Sequence, residues 1–208
     1  LKGHNELFIN KGNGVFAEQS KEYGLTFSGL STQTAFFDYD KDGDLDCFLI
    51  NHSKQPHANI VDTINRNKPD SISGSRLFRN EVKQGRQKFT DVSAAAGIYQ
   101  SNLSYGLGLS VADLNNDGWP DIYVSNDYVE EDYLYINNKN GSFTETLKSS
   151  FGHLSNFSMG VDVADINNDG HMDVFTLDML PEDNRRQKLL YAPDNYELYA
   201  NGIQNGFY

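Results

Sequence analysis

The stretch Asp38-Tyr39-Asp40-Lys41-Asp42-Gly43-Asp44-Leu45-Asp46 places side-chain oxygens at positions 1, 3, 5 and 9 of nine residues, with Gly at position 6. The same pattern returns as Asp113-Leu114-Asn115-Asn116-Asp117-Gly118-Trp119-Pro120-Asp121. It returns again as Asp165-Ile166-Asn167-Asn168-Asp169-Gly170-His171-Met172-Asp173. An ordinary turn needs only one or two Asp, Asn or Gly residues. Three copies in one register point instead to a shared ligand for the oxygens.

That ligand is expected to be a hard dication. Ca²⁺ takes six to eight oxygen donors at roughly 2.3–2.6 Å, and a short loop supplies them if alternate side chains turn inward around a sharp bend. Positions 1, 3 and 5 give side-chain oxygens: Asp38, Asp40 and Asp42; Asp113, Asn115 and Asp117; Asp165, Asn167 and Asp169. Position 7 gives a backbone carbonyl, so its side chain is free to vary, as Asp44, Trp119 and His171 do. His171 is thus read as a backbone donor rather than a zinc ligand. Position 9 (Asp46, Asp121, Asp173) closes the site with a carboxylate. About three Ca²⁺ ions are expected, one per loop. The first loop should bind tightest, because Asp40 stands where the others have Asn. Mg²⁺ ranks second, since it prefers a smaller shell with retained waters. No Cys or His cluster favours a transition metal.

The flanks set the fold class. An EF-hand needs Glu at position 12 and a helix on each side. Position 12 here is Leu49, Val124 or Thr176, within short apolar runs that read as strands. Each loop is therefore the turn of a β-hairpin, with repeats at 31–51, 104–126 and 156–178. A second kind of hairpin alternates with it: Leu7–Asn10 to Phe16, Leu77–Asn80 to Phe89, and Leu134–Asn137 to Phe143. Asp113 to Asp165 is 52 residues and Phe89 to Phe143 is 54, whereas Asp38 to Asp113 is 75. The unit is four strands long, and one unit carries an insertion. Four-stranded units at this period predict an all-β chain of β-propeller blades.

With the loop followed by a β-strand and then Leu-x-x-Asn and Gly-x-Phe, a hairpin that the tail after the third loop lacks, the repeat resembles the FG-GAP/VCBS repeat of integrin α-subunit propellers. It is most similar to bacterial VCBS-repeat proteins and the cartilage acidic protein group, over roughly residues 5–180. The resemblance implies Ca²⁺ in the loops, a β-propeller that is often seven-bladed, and a secreted or cell-envelope setting. The function it implies is recognition of a protein or glycan, with integrin-like adhesion as one form.

The formal charge of −12 sits largely in the three loops and argues against nucleic-acid binding, which wants a basic face. No apolar run is long enough to span a membrane as a helix. The single Cys47 lies in an apolar strand and reads as a buried small hydrophobe. No nucleophile elbow, P-loop or zinc-protease motif is present, so an enzyme such as a propeller-fold polysaccharide lyase or hydrolase is the minor alternative.

Two further stretches are candidate contact surfaces. The insertion 52–75, with His52 and His57, reads first as a solvated loop and second as a recognition loop. The stretch 126–133, Asn-Asp-Tyr-Val-Glu-Glu-Asp-Tyr, reads first as a solvated acidic turn and second as a sugar or peptide site. The tail 181–208 suggests a short helix after Pro181, then an aromatic segment with Tyr191, Tyr196, Tyr199 and Tyr208. The chain opens on Leu rather than Met, and three loop hairpins are too few to close a ring. A piece of a longer propeller is therefore expected, with open sheet faces that favour self-association.

Overall fold

The computed structural model describes residues 3–54, 66–82, 88–128, 130–155, 157–179 and 204. It is built from antiparallel strands. Strands β1 (Phe8–Gly12) and β2 (Val15–Glu18) form a hairpin, followed by the short helix α1 (Ser20–Tyr23). Strands β3 (Ser31–Phe37), β4 (Asp46–Asn51), β5 (Arg76–Asn80) and β6 (Phe89–Asp91) form a four-stranded meander. A second one follows: β7 (Gly106–Ala112), β8 (Asp121–Asn126), β9 (Tyr133–Asn137) and β10 (Phe143–Glu145). The helix α2 (Leu147–Ser150) leads to a last hairpin, β11 (Ser158–Ala164) with β12 (Asp173–Asp178). Both kinds of hairpin predicted from sequence are present, and the two helices of one turn each are additions. Among the described residues the sheets do not close into a ring.

The apolar runs after each loop follow from burial on both faces. Along β4, Cys47 and Leu49 pack back against Leu25, Phe78, Phe89, Tyr23 and Phe27. Phe48 and Ile50 point forward and meet Ile122, Val124 and Tyr135 of the next sheet. Along β8 the alternation repeats, with Tyr123 forward against Val161 and Val174. A strand covered on both sides has no polar face, so it reads as a continuous apolar segment. Burying one large apolar side chain contributes about 1.5–3 kcal/mol, and these strata hold the sheets face to face. Position 2 of the first two metal loops joins them. Tyr39 is buried and stacks on Phe143 of the following sheet, and Leu114 packs towards the last hairpin. Ile166, Phe175 and Leu177, the matching side chains of that hairpin, are exposed.

The first strands of successive units, β3, β7 and β11, lie side by side. Gln33 bridges the first two: its Nε2 donates to the Leu109 carbonyl (3.3 Å) and its Oε1 accepts from the Leu109 amide (3.0 Å). Between β7 and β11 the backbones almost touch. A Cβ on Gly108 would sit 2.8 Å from the Gly160 Cα.

Of the insertion, residues 52–54 and 66–75 are described: Lys54, Asn67, Lys68, Pro69 and Ser71 are exposed, as a solvated loop predicts, while its end is packed. Ser73 and Ser75 are buried, and Gly74 lies against the backbone of Gln100. His57, the expected helix after Pro181 and the tyrosines Tyr191, Tyr196, Tyr199 and Tyr208 lie outside the described residues. Cys47 is buried, as its place in the strand predicts.

Candidate metal centre

Each loop is shaped by one hydrogen-bond network, repeated three times. The position-1 carboxylate accepts from the amides of positions 5 and 6. The bonds run from Asp42 and Gly43 to Asp38 (3.0 and 2.9 Å) and from Asp117 and Gly118 to Asp113 (2.9 and 2.7 Å). Those from Asp169 and Gly170 to Asp165 are 3.1 and 2.9 Å. The position-3 side-chain oxygen also accepts from the position-5 amide. The position-5 carboxylate accepts from position 7, in Asp44, Trp119 and His171. These bonds turn the side chains of positions 1, 3 and 5 into the concave side of the loop. The turn requires left-handed backbone at position 6, met by Gly43, Gly118 and Gly170 with φ of 85–88°. Position 4 is left-handed as well, at Lys41, Asn116 and Asn168, with φ of 56–58°.

In the first loop, one carboxylate oxygen each from Asp38, Asp40 and Asp42 lies within 4.8 Å of the other two. This is an all-oxygen set of hard donors and fits a hard dication. Burial and the neighbouring Asp42 carboxylate push Asp40 up from its ordinary pKa. The other loops relieve that repulsion internally. Asn115 Nδ2 donates to Asp117 (2.8 Å), and Asn167 Nδ2 donates to Asp169 (3.0 Å). The Asp169 carboxylate is held below its usual range by the His171 amide and by Asn167. Asp117 is also held low, where hydrogen bonds from Asn115, Trp119 and Lys139 outweigh desolvation.

Position 9 has a second set of partners that spacing does not reveal. Asp46 and Asp121 are buried. Asp46 Oδ2 accepts from the Tyr39 amide (3.2 Å) and Oδ1 from the Asn80 amide (2.8 Å). Asp121 Oδ2 accepts from Leu114 (2.9 Å) and Oδ1 from Asn137 (2.8 Å). Asp173 Oδ2 accepts from Ile166 (3.0 Å). The carboxylate therefore locks the start of the loop and, in the two four-stranded sheets, the end of the third strand. Burial pushes Asp46 up to about 7 and raises Asp121.

The Asn of Leu-x-x-Asn completes this frame, and sequence reasoning assigned it no role. Asn80 Nδ2 donates to the Leu45 carbonyl (3.0 Å), and Asn137 Nδ2 donates to Tyr39 (2.9 Å) and Pro120 (3.2 Å). Their Oδ1 atoms accept from the amides two residues on, Val82 and Lys139, and Asn10 does the same for Gly12. The available signal was its recurrence at the end of the same four-residue pattern, Leu7–Asn10, Leu77–Asn80 and Leu134–Asn137.

In a meander, the loops between second and third strands lie at the end of the sheet away from the metal loops. The two candidate contact stretches meet there. Arg66 Nε and Nη2 pair with Glu130 (2.5 Å) and Glu131 (3.0 Å), and Lys148 Nζ lies 3.1 Å from Glu131. The stretch is not the solvated acidic turn that its composition predicts: Asp127, Glu130 and Asp132 are buried. Asp132 accepts from the Tyr123 hydroxyl and the Asn126 amide, and burial pushes it up to about 6. Beside it run three rings, with His52 to Tyr105 at 4.6 Å and Tyr105 to Tyr128 at 4.7 Å. Tyr128 is left-handed, with φ 67°, an uncommon conformation for a bulky residue.

Among known proteins, integrin α-3 of Mus musculus and of Cricetulus griseus are similar to this chain. Each is 31% identical over 113 residues, covering 49% of this chain. The chain spans 10% of the length of these curated relatives. The profile of the FG-GAP-like repeat matches residues 2–49 and 113–176, more than half of the sequence. With its four-stranded sheets and thrice-repeated loop, the chain belongs to the FG-GAP-like repeat family, whose repeats are propeller blades.

Proposed function

We propose that this chain is a Ca²⁺-stapled β-propeller module of a secreted or cell-envelope protein that recognises a protein or glycan. The observation that carries the metal is the repetition of one inward-facing oxygen cradle in all three loops, which is tightest in carboxylate at Asp38, Asp40 and Asp42. The residues proposed to hold the ions are the side chains at positions 1, 3, 5 and 9 and the carbonyls of Asp44, Trp119 and His171. A bound dication neutralises carboxylates that otherwise repel, so its binding energy appears as stability of the folded state. The recognition surface is proposed at the opposite end, where Tyr128 is held in a strained conformation against Tyr105. Backbone strain of this kind concentrates at functional positions. Similarity to integrin α-chains favours an adhesive form of recognition, and supports binding over catalysis. No helix among the described residues is long and apolar enough to cross a membrane. Exposed Phe8, Phe16, Phe175 and Leu177 support self-association, which gel filtration in calcium tests.

A thermal melt in EDTA, then with Ca²⁺ or Mg²⁺, tests the metal. A large upward shift is expected with sub-millimolar Ca²⁺ and a smaller one with Mg²⁺; identical curves in all three buffers overturn the assignment. Calorimetry of Asp42→Ala, Asp117→Ala and Asp169→Ala tests the ranking of loops. The first substitution should remove the tightest site, and three equal losses would contradict that order.

A further inference from the structure

The three loops touch one another in chain order, always through the same position. The left-handed backbone at position 4 throws that side chain onto positions 6 and 7 of the next loop. Lys41 lies over the Trp119 ring, 4.6 Å from its centroid, close to Gly118. Asn116 Nδ2 reaches the Gly170 carbonyl (2.8 Å) and His171 Nδ1 (2.8 Å). An amide NH₂ has two hydrogens, so it donates one to each acceptor when the His171 proton is on Nε2.

We propose that Asn116 is a positioning residue for the third metal loop, and that it couples occupancy of the second loop to affinity in the third. This rests on the metal reading above. Residues 170 and 171 carry the turn that presents the His171 carbonyl, the position-7 donor. Asn116 sits between Asn115 and Asp117, both of which face the second cradle. An ion held there restricts the Asn115–Asp117 backbone and with it the direction of the Asn116 amide. The third loop then meets its ion with position 7 already set, and less conformational freedom is lost on binding. The coupling runs from each loop to its successor and, by linkage, back again with equal size. Asn suits this link better than Lys41 suits the one before it. It is neutral, so it orders the neighbour without opposing the incoming cation.

The test uses three glycine amides, Gly43, Gly118 and Gly170, one at position 6 of each loop. In the ¹⁵N-labelled chain, each resonance reports calcium occupancy of its own loop. Asn116→Gly removes the side chain without straining the left-handed backbone. The Gly170 midpoint should move to about fivefold higher calcium, the effect of one neutral hydrogen bond, while Gly43 stays in place. Asn116→Asp adds negative charge but donates nothing. A shift to higher calcium supports positioning by donation, and a shift to lower calcium shows that simple electrostatics governs and overturns the proposal. The coupling is read from a cycle. Asp117→Ala, which disables the second loop, should raise the Gly170 midpoint in the native chain and leave it unmoved in the Asn116→Gly background. Equal midpoints in native and Asn116→Gly chains overturn the proposal while leaving the metal reading intact. If none of the three glycine resonances responds to calcium, the metal reading itself falls.

Discussion

Asp121→Ala is expected to destabilise the chain by on the order of 2–5 kcal/mol even in EDTA. Asp121 is buried, and its two oxygens accept from the amides of Leu114 and Asn137. Removing the carboxylate leaves two backbone donors without acceptors, and each such donor costs about 1–3 kcal/mol. Domains of this kind are stable by only about 5–15 kcal/mol, so a large part of the folded state is at stake. Asp117→Ala makes the instructive contrast. Its carboxylate is near the surface and accepts from Trp119, Asn115 and Lys139. In EDTA its loss should matter little, whereas in calcium it should remove the stabilisation contributed by one ion. Urea denaturation with and without calcium separates the two. Should Asp121→Ala behave like Asp117→Ala, harmless without calcium, position 9 serves the ion alone. Asp121→Asn should fall between, since one oxygen survives while an NH₂ group faces an amide donor.

Gly108→Val is expected to detach the last hairpin. The Cβ alone would lie 2.8 Å from the Gly160 Cα and 2.9 Å from the Val161 nitrogen. Backbone cannot yield as a flexible side chain can, so β7 and β11 must separate. Overpacking typically costs about 1–3 kcal/mol, occasionally more, and the valine methyls place this substitution at the upper end. The damage should be local. Val161 and Val174 would leave the cluster of Tyr123, Leu134 and Leu147, while the sheet of β3 to β6 keeps its own packing. Hydrogen exchange should show fast amides in β11 and β12 and protected ones in β4 and β8. Uniform loss of protection across the chain would mean that the units unfold as one.

Much of this was legible from spacing. Alternating oxygens around Gly43, Gly118 and Gly170, followed by apolar residues rather than Glu at position 12, specify a strand–loop–strand unit, and the hairpins fall where those residues place them. Three features were not legible, each for a physical reason. Asp46 and Asp121 show only a ligand role in sequence, and their structural role is hidden, because a carboxylate shows its charge there but not its burial. Their partners, Asn80 and Asn137, lie on another strand, so the contact exists only once the sheet forms. Glu130 and Asp132 look solvated for the same reason; their partners Arg66 and Tyr123 lie outside the stretch 126–133. The left-handed Lys41 carries no compositional warning, because its conformation is imposed by the loop network around it.

The forward-facing side chains have a consequence for synthesis. Tyr39, Phe48 and Ile50 are covered by Ile122, Val124 and Phe143, which leave the ribosome much later. At about 5–20 residues per second, each nascent unit shows an uncovered apolar face for several seconds. Aggregation during that interval depends on what shields it: a chaperone, or the arrival of the next repeat. Substitutions that make Tyr39 or Phe48 more polar would shorten the hazard and weaken the finished stack together. Yield from cells and stability of the purified protein can therefore move in opposite directions.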